Sequence, residues 1–92
     1  MEITNKKTQN ILLRAAQDIV SDHYIVDHKI DQQVVDNGYV DDIMADRLFD
    51  VEEQMKTDPT VKIASIEETS KQFVIEPNFK NAEALWFSVM FN

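Results

Sequence analysis

The spacing of apolar residues changes near Pro59 and divides the sequence into a helical part and an alternating part. Before Pro59 the apolar positions recur every three or four residues, which is the period of one helix face. After it they recur at every second residue, which is typical of a strand with one buried face. The pattern predicts an α+β fold, in which two or three N-terminal helices precede a three-stranded antiparallel sheet. The length fits a single domain spanning residues 1–92.

A first helix is predicted over about residues 5–22, where Thr4 or Asn5 can cap the start by accepting a hydrogen bond from an unpaired N–H group. Its apolar residues fall at helical spacing: Ile11, Leu12, Ala15, Ala16, Ile19 and Val20. The next stretch, residues 23–38, is compatible with either a strand or a short helix. Asp27 as an N-cap and Gly38 just past the last turn favour the short helix.

A second helix is predicted over about residues 41–57, with Asp41 as its cap. It should end at Asp58, because the residue before a proline avoids the helical region. At about 100° per residue, apolar and acidic side chains fall on opposite sides of this helix. The apolar stripe comprises Met44, Leu48, Val51 and Met55. The acidic residues lie within about 80° of arc and comprise Asp42, Asp46, Asp50 and Glu53.

Three strands are predicted over about residues 61–67, 71–76 and 84–91, with turns at 68–70 and 77–81. One face holds the odd-numbered apolar residues, such as Phe73 and Leu85, yet the other face is also apolar. A half-solvated antiparallel sheet is normally polar outside, so this second face needs a cover. Either residues 28–36 or a second copy of the chain could supply it. We favour a homodimer, whose expected interface residues are Ile66, Val74, Trp86 and Met90.

Negative charge is concentrated in the middle of the sequence. Twelve acidic residues lie between Asp18 and Asp58 against three basic ones, which gives this segment a charge of −9, while the whole chain carries −8. An acidic segment is often only a solvated face, and the alternative is a recognition surface for a basic partner. In the second case the acidic helix face should bind the partner, and four further aspartates are expected to extend it: Asp22, Asp27, Asp31 and Asp36. Direct nucleic-acid binding is disfavoured, because the nine basic residues are scattered.

No motif in the sequence indicates a reaction, a metal or a cofactor. The chain has no cysteine, so disulfides and thiolate chemistry are excluded. A calcium loop centred on Gly38 would place Met44 where the bidentate glutamate must stand. The five-residue separation of His23 and His28 is not a same-face helical pair of metal ligands. We therefore expect no enzyme, no metal site and no cofactor. With no apolar run long enough to span a membrane, a soluble protein of the cytoplasm is expected.

A small acidic chain with a two-sided, Asp-bearing helix and an apolar C-terminal sheet resembles the DNA-mimic proteins that phages use against host defence. The resemblance in length and charge is strongest to the anti-restriction nuclease (Arn) family of T-even-type phages, and it covers the whole chain. It extends from Met1-Glu2-Ile3-Thr4-Asn5 to Leu85-Trp86-Phe87-Ser88-Val89-Met90-Phe91-Asn92. No short motif carries it, so no individual functional residue is transferred. It implies a non-catalytic homodimer that occupies the DNA site of a host restriction endonuclease dependent on modified cytosine.

Two functions from different classes therefore compete. The favoured one is an acidic inhibitor that competes with DNA for a basic groove. The alternative is a regulatory partner, such as an antitoxin or an adaptor, which binds another protein through the apolar sheet face and uses its acidic residues for solubility. Salt separates the two, because a complex between carboxylates and a basic groove weakens steeply with ionic strength and an apolar interface does not.

Overall fold

The computed structural model of the chain describes residues 5–30 and 37–92 and contains four α-helices there. They are α1 (Lys6–Asp27), α2 (Asn37–Thr57), α3 (Ile66–Ile75) and α4 (Phe79–Phe91). None of the described residues forms a strand. The predicted α+β fold with a three-stranded sheet is therefore wrong, and the described part of the chain is all-helical.

Helix α1 confirms the first predicted helix and continues for five residues beyond it. At its start, the Lys7 backbone N–H donates to Asn5 Oδ1 at 2.8 Å, as expected of a cap. At its end, the Lys29 N–H donates to Val26 O at 3.1 Å, and the Ile30 N–H donates to Ile25 O at 2.9 Å. These two bonds form a Schellman motif. Asp27 is the last residue of α1 and not the N-cap of another helix, which corrects the prediction for that position.

Helix α2 begins at Asn37, four residues before the predicted start. Asp41 and Gly38 both lie inside it, so Asp41 is not its cap and Gly38 does not follow the end of a preceding helix. The predicted end at Thr57 is confirmed. Beyond it, Asp58 Oδ1 accepts hydrogen bonds from the Thr60 hydroxyl at 2.6 Å and from the Thr60 backbone N–H at 3.0 Å. Together these bonds hold the pKa of Asp58 below its ordinary value.

Helix α3 replaces parts of the first two predicted strands and the turn between them. Its N-cap is Ser65, whose side-chain oxygen accepts from the Glu68 backbone N–H at 3.2 Å. Ser65 and Glu68 are spaced as the ends of a capping box, Ser-x-x-Glu, a helix-start signal that outweighs the alternating pattern here. The residues predicted to turn the chain, 68–70, instead lie in the first half of α3.

Helix α4 replaces the third predicted strand and takes in part of the second predicted turn. Asn78 caps it, accepting from the Asn81 backbone N–H at 2.9 Å. The Asn81 side-chain amide in turn donates to Glu76 O at 2.8 Å and so ties the end of α3 to the start of α4. An apolar run of eight residues, 84–91, does not by itself separate a buried helix from a strand. The two asparagines, which favour helix caps, resolve that ambiguity.

The contacts divide the chain into two compact units. The first comprises Met1–Val20 with Ile63–Asn92, and the second comprises Ser21–Lys62. The prediction of a single domain is not tested by this division and stays a prediction.

In the first unit, α3 packs against α4. The Ser88 hydroxyl donates to Ala64 O at 2.9 Å and anchors the segment before α3 on α4. The buried apolar residues of this unit are Ala16, Val20, Phe73, Ala82, Leu85, Trp86 and Phe87.

In the second unit, the last turns of α1 and the inner side of α2 supply the core. Tyr24 and Ile25 are buried from α1, and Val40 and Val51 from α2. The Tyr24 ring has His28 at its edge, with the ring centroids 6.4 Å apart. Burial of one side of α2 leaves its opposite side free to carry charge, and the candidate site lies there.

Candidate functional site

The acidic face of α2 is defined by Asp42, Asp46, Asp50 and Glu53, and all four are exposed. On the opposite side, Val51 is only 4% exposed. Met44, Leu48 and Met55 are half-buried. The two-sided helix predicted from the sequence is therefore confirmed. Successive aspartates of the acidic face are four residues apart, or about 6 Å along the helix axis.

Glu53 of the acidic face has a lysine as its neighbour. Lys56 Nζ lies 3.5 Å from Glu52 Oε1 and 3.8 Å from Glu53 Oε1. Both glutamate side chains are about half exposed, and exposed ion pairs of this kind contribute little to stability. Because these pairs are weak, Glu53 stays available to a basic partner together with the three aspartates.

Two aromatic residues share the acidic face. Tyr39 is 52% exposed and Phe49 is 60% exposed. At about 100° per residue, Tyr39 falls about 20° and Phe49 about 60° from Asp46 around the helix. Neither residue was predicted to belong to this face, because only the apolar stripe and the acidic residues of the helix were compared by angle. The same comparison would have found them.

A cavity of about 210 Å³ lies in the second unit, beside the acidic face. Asp46 and Asp50 line it from α2, as do Ile43 and Arg47, and Tyr24 and His28 complete the lining. Small-molecule pockets usually begin near about 300 Å³. The cavity is therefore better suited to a single protein side chain than to a substrate.

Two of the four proposed extensions of the acidic face lie among the described residues, and two do not. Asp22 and Asp27 lie on α1 and are exposed, but they are separated by about 140° around that helix. They therefore do not form one ridge with each other. Asp31 and Asp36 lie outside the described residues.

The four residues expected at a dimer interface no longer share a sheet face. Ile66 begins α3 and is half-buried, and Val74 is 46% exposed near the end of the same helix. Met90 is 46% exposed on α4. Trp86 is only 2% exposed and belongs to the core of the first unit, so it offers no surface to a second copy.

Within residues 5–30 and 37–92, no three histidine or acidic side chains are close enough to hold a metal ion together. No described helix combines the length and the apolar character needed to cross a bilayer.

Comparisons with protein-family models, with curated proteins and with solved structures find no match to this chain. The acidic face itself is therefore the basis for a proposal of function.

Proposed function

We propose that the protein is a non-catalytic DNA mimic, which acts in the cytoplasm of a phage-infected host cell. It occupies the basic DNA-binding groove of a restriction endonuclease dependent on modified cytosine, and it thereby protects phage DNA. The target class comes from the resemblance to the Arn family. The observation that carries the proposal is the exposure of all four acidic-face residues on one side of a single helix.

The arrangement of charge supports an interaction role more than a solubilising one. A solubilising face normally mixes positive and negative charges, which form stabilising pairs along a helix. Here the acidic face spans the 12 residues from Asp42 to Glu53, with Arg47 as the single basic residue among them, and like charges at i,i+4 spacing destabilise the free protein. Contact with a basic groove would relieve that repulsion, just as DNA phosphates are neutralised by lysine and arginine.

The test is inhibition of a purified endonuclease of this class acting on DNA that contains modified cytosine. We expect the protein to block cleavage, and we expect excess uncleavable DNA to restore cleavage by competition. The variant in which Asp42, Asp46 and Asp50 are changed to Asn should lose about 1 kcal/mol or more of binding free energy per well-placed charge. Its affinity should also fall less steeply with salt.

A matched control removes three charges elsewhere. Changing Glu67, Glu68 and Glu76 to Gln alters the net charge equally but leaves the acidic face intact. This control should inhibit as well as the unmodified protein. Equal loss in both variants would mean that total charge, not the acidic face, causes inhibition. Full inhibition by the folded aspartate variant would disprove the mimic.

We also propose a homodimer, as the resemblance implies. Exposed apolar side chains at Val74, Ile75 and Met90 are its support within the first unit. Sedimentation at micromolar concentration should give twice the chain mass of 10.7 kDa. Met90→Glu should shift the equilibrium toward monomer without unfolding the chain, since this side chain is already 46% exposed. A monomer mass for the unmodified protein would reject the dimer.

A further inference from the structure

The acidic face of α2 carries two aromatic rings among its four carboxylates. Tyr39 precedes Asp42 by three residues, and Phe49 follows Asp46 by three residues. Residues three or four apart are neighbours on a helix surface, about 5–6 Å apart between Cβ atoms. With 52% and 60% of their surfaces exposed, both rings are accessible to a partner that contacts these aspartates.

The charge around the rings limits what can cover them. A second copy docked through the same face would bring carboxylates against carboxylates, since a two-fold interface pairs a surface with itself. Nucleic acid is repelled for the same reason, although exposed aromatic rings can stack on bases. A positively charged protein surface is the remaining occupant, and it is complementary in charge to Asp42, Asp46 and Asp50.

Lysine and arginine side chains do not bind such a face equally strongly. The arginine guanidinium is planar, stacks on aromatic rings and binds a carboxylate through two parallel hydrogen bonds. The lysine ammonium is compact and strongly hydrated, so it gains less from an adjacent ring. We infer that the acidic face is selective for arginine, so that its partner surface is lined by arginine more than by lysine. This inference rests on the proposed function and names the partner chemistry for the same site.

Two fluorescently labelled peptides of equal charge, deca-arginine and deca-lysine, test the inference by anisotropy at matched ionic strength. The unmodified protein should bind deca-arginine more tightly, by up to roughly thirtyfold, the fold-change that two exposed ring contacts supply where lysine gains nothing from the rings. In the variant Tyr39→Leu, Phe49→Leu, most of this preference should disappear, while the affinity for deca-lysine stays within about twofold. Both substituted positions are exposed, so circular dichroism and melting should match those of the unmodified protein.

Two further variants separate this inference from the proposed function. Ile75→Ala removes apolar surface from a residue that is 74% exposed and off the acidic face, and it should leave the preference unchanged. The variant with Asn at positions 42, 46 and 50 should weaken binding of both peptides. Equal affinity of the unmodified protein for the two peptides, or a preference that persists without the rings, overturns arginine selectivity alone. Peptide binding that does not respond to the loss of the three aspartates overturns the proposed acidic face as well.

Discussion

At the scale of single residues, Lys29 occupies the least favourable backbone conformation in the described part of the chain. Its φ of 56° lies in the left-handed region, which a residue with a Cβ atom enters at a cost of about 1–2 kcal/mol. The Schellman bonds at the end of α1 require this conformation. Glycine normally occupies the position, and the single glycine of the chain stands elsewhere.

Replacing Lys29 by Gly should therefore stabilise the protein, by about 0.5–1 kcal/mol once the greater freedom of glycine in the unfolded chain is counted. The matched control is Lys29→Ala, which removes the same charge but keeps the Cβ atom. Urea denaturation should place the glycine variant above the alanine variant. The same stability in both would show that the left-handed conformation carries no strain.

The hydrogen bonds in the turn after α2 lead to a prediction about how stability depends on pH. The pKa of Asp58 is lowered, first by the Thr60 hydroxyl and then by the Thr60 backbone N–H. Because the pKa is lower in the folded chain, the stabilisation from this turn is fully present above the ordinary value of 3.8, and it is lost as the pH falls through the lowered pKa. In Thr60→Val the pKa should rise toward its ordinary value without reaching it, because the backbone N–H remains.

Carboxyl-carbon NMR titration of Asp58 measures this change directly. Thr57→Val serves as the control, since the Thr57 hydroxyl donates to Glu53 O and has no bond to Asp58. A pKa that stays unchanged in the Thr60 variant would show that the hydroxyl does not stabilise the carboxylate.

At the scale of elements, the sequence predicted the helices before Pro59 and failed after it. Val51 indicated the inner side of α2 because it belongs to an apolar stripe that recurs with the helix period. The apolar stretches that contain Phe73 and Leu85 fit a period of two and a helical period equally well. The prediction of strands there is wrong. Ser65 and Asn78 are residue types that favour helix caps, and they are the sequence signals that indicate α3 and α4. The exposure of Tyr39 and Phe49 is harder to predict from the sequence, because their burial depends on which elements pack beside α2.

The cap of α3 provides a test at this scale. Ser65→Ala should destabilise the protein by about 1 kcal/mol, because the Glu68 backbone N–H loses its acceptor. Ser65→Thr keeps a hydroxyl at the cap and should cost much less. The comparison is made by urea denaturation, with far-UV circular dichroism reporting helix content. An alanine variant as stable as the unmodified protein would indicate that residues 66–75 do not form a capped helix.

At the scale of the whole molecule, the net charge of −8 opposes the compact state. The acidic face concentrates this repulsion, since its successive aspartates lie about 6 Å apart, within the Debye length of about 8 Å at physiological ionic strength. An acidic face selected only for stability would not keep this arrangement. The repulsion is therefore a measurable signature of the same carboxylates that are proposed to bind a basic groove.

Raising the salt concentration from about 0.15 M to about 1 M shortens the Debye length to about 3 Å and should consequently increase the melting temperature by several degrees, since about 1 kcal/mol corresponds to about 4–8 °C in a domain of this size. The increase should be smaller in the variant with Asn at positions 42, 46 and 50. It should be close to normal in the control with Gln at positions 67, 68 and 76. A melting temperature independent of salt in all three proteins would contradict self-repulsion at the acidic face.

The first unit is assembled from both ends of the chain, with the second unit between them, and this has a consequence during translation. The segment Ser21–Lys62 is complete while the 30 residues Ile63–Asn92 are still to be made. Protein synthesis adds about 5–20 residues per second, so the apolar residues Ala16 and Val20 stay uncovered for about 2–6 s until the helices that complete their unit are made. Until those helices are made, this apolar surface stays exposed, and exposed apolar surface of this kind makes an unfinished chain prone to aggregate.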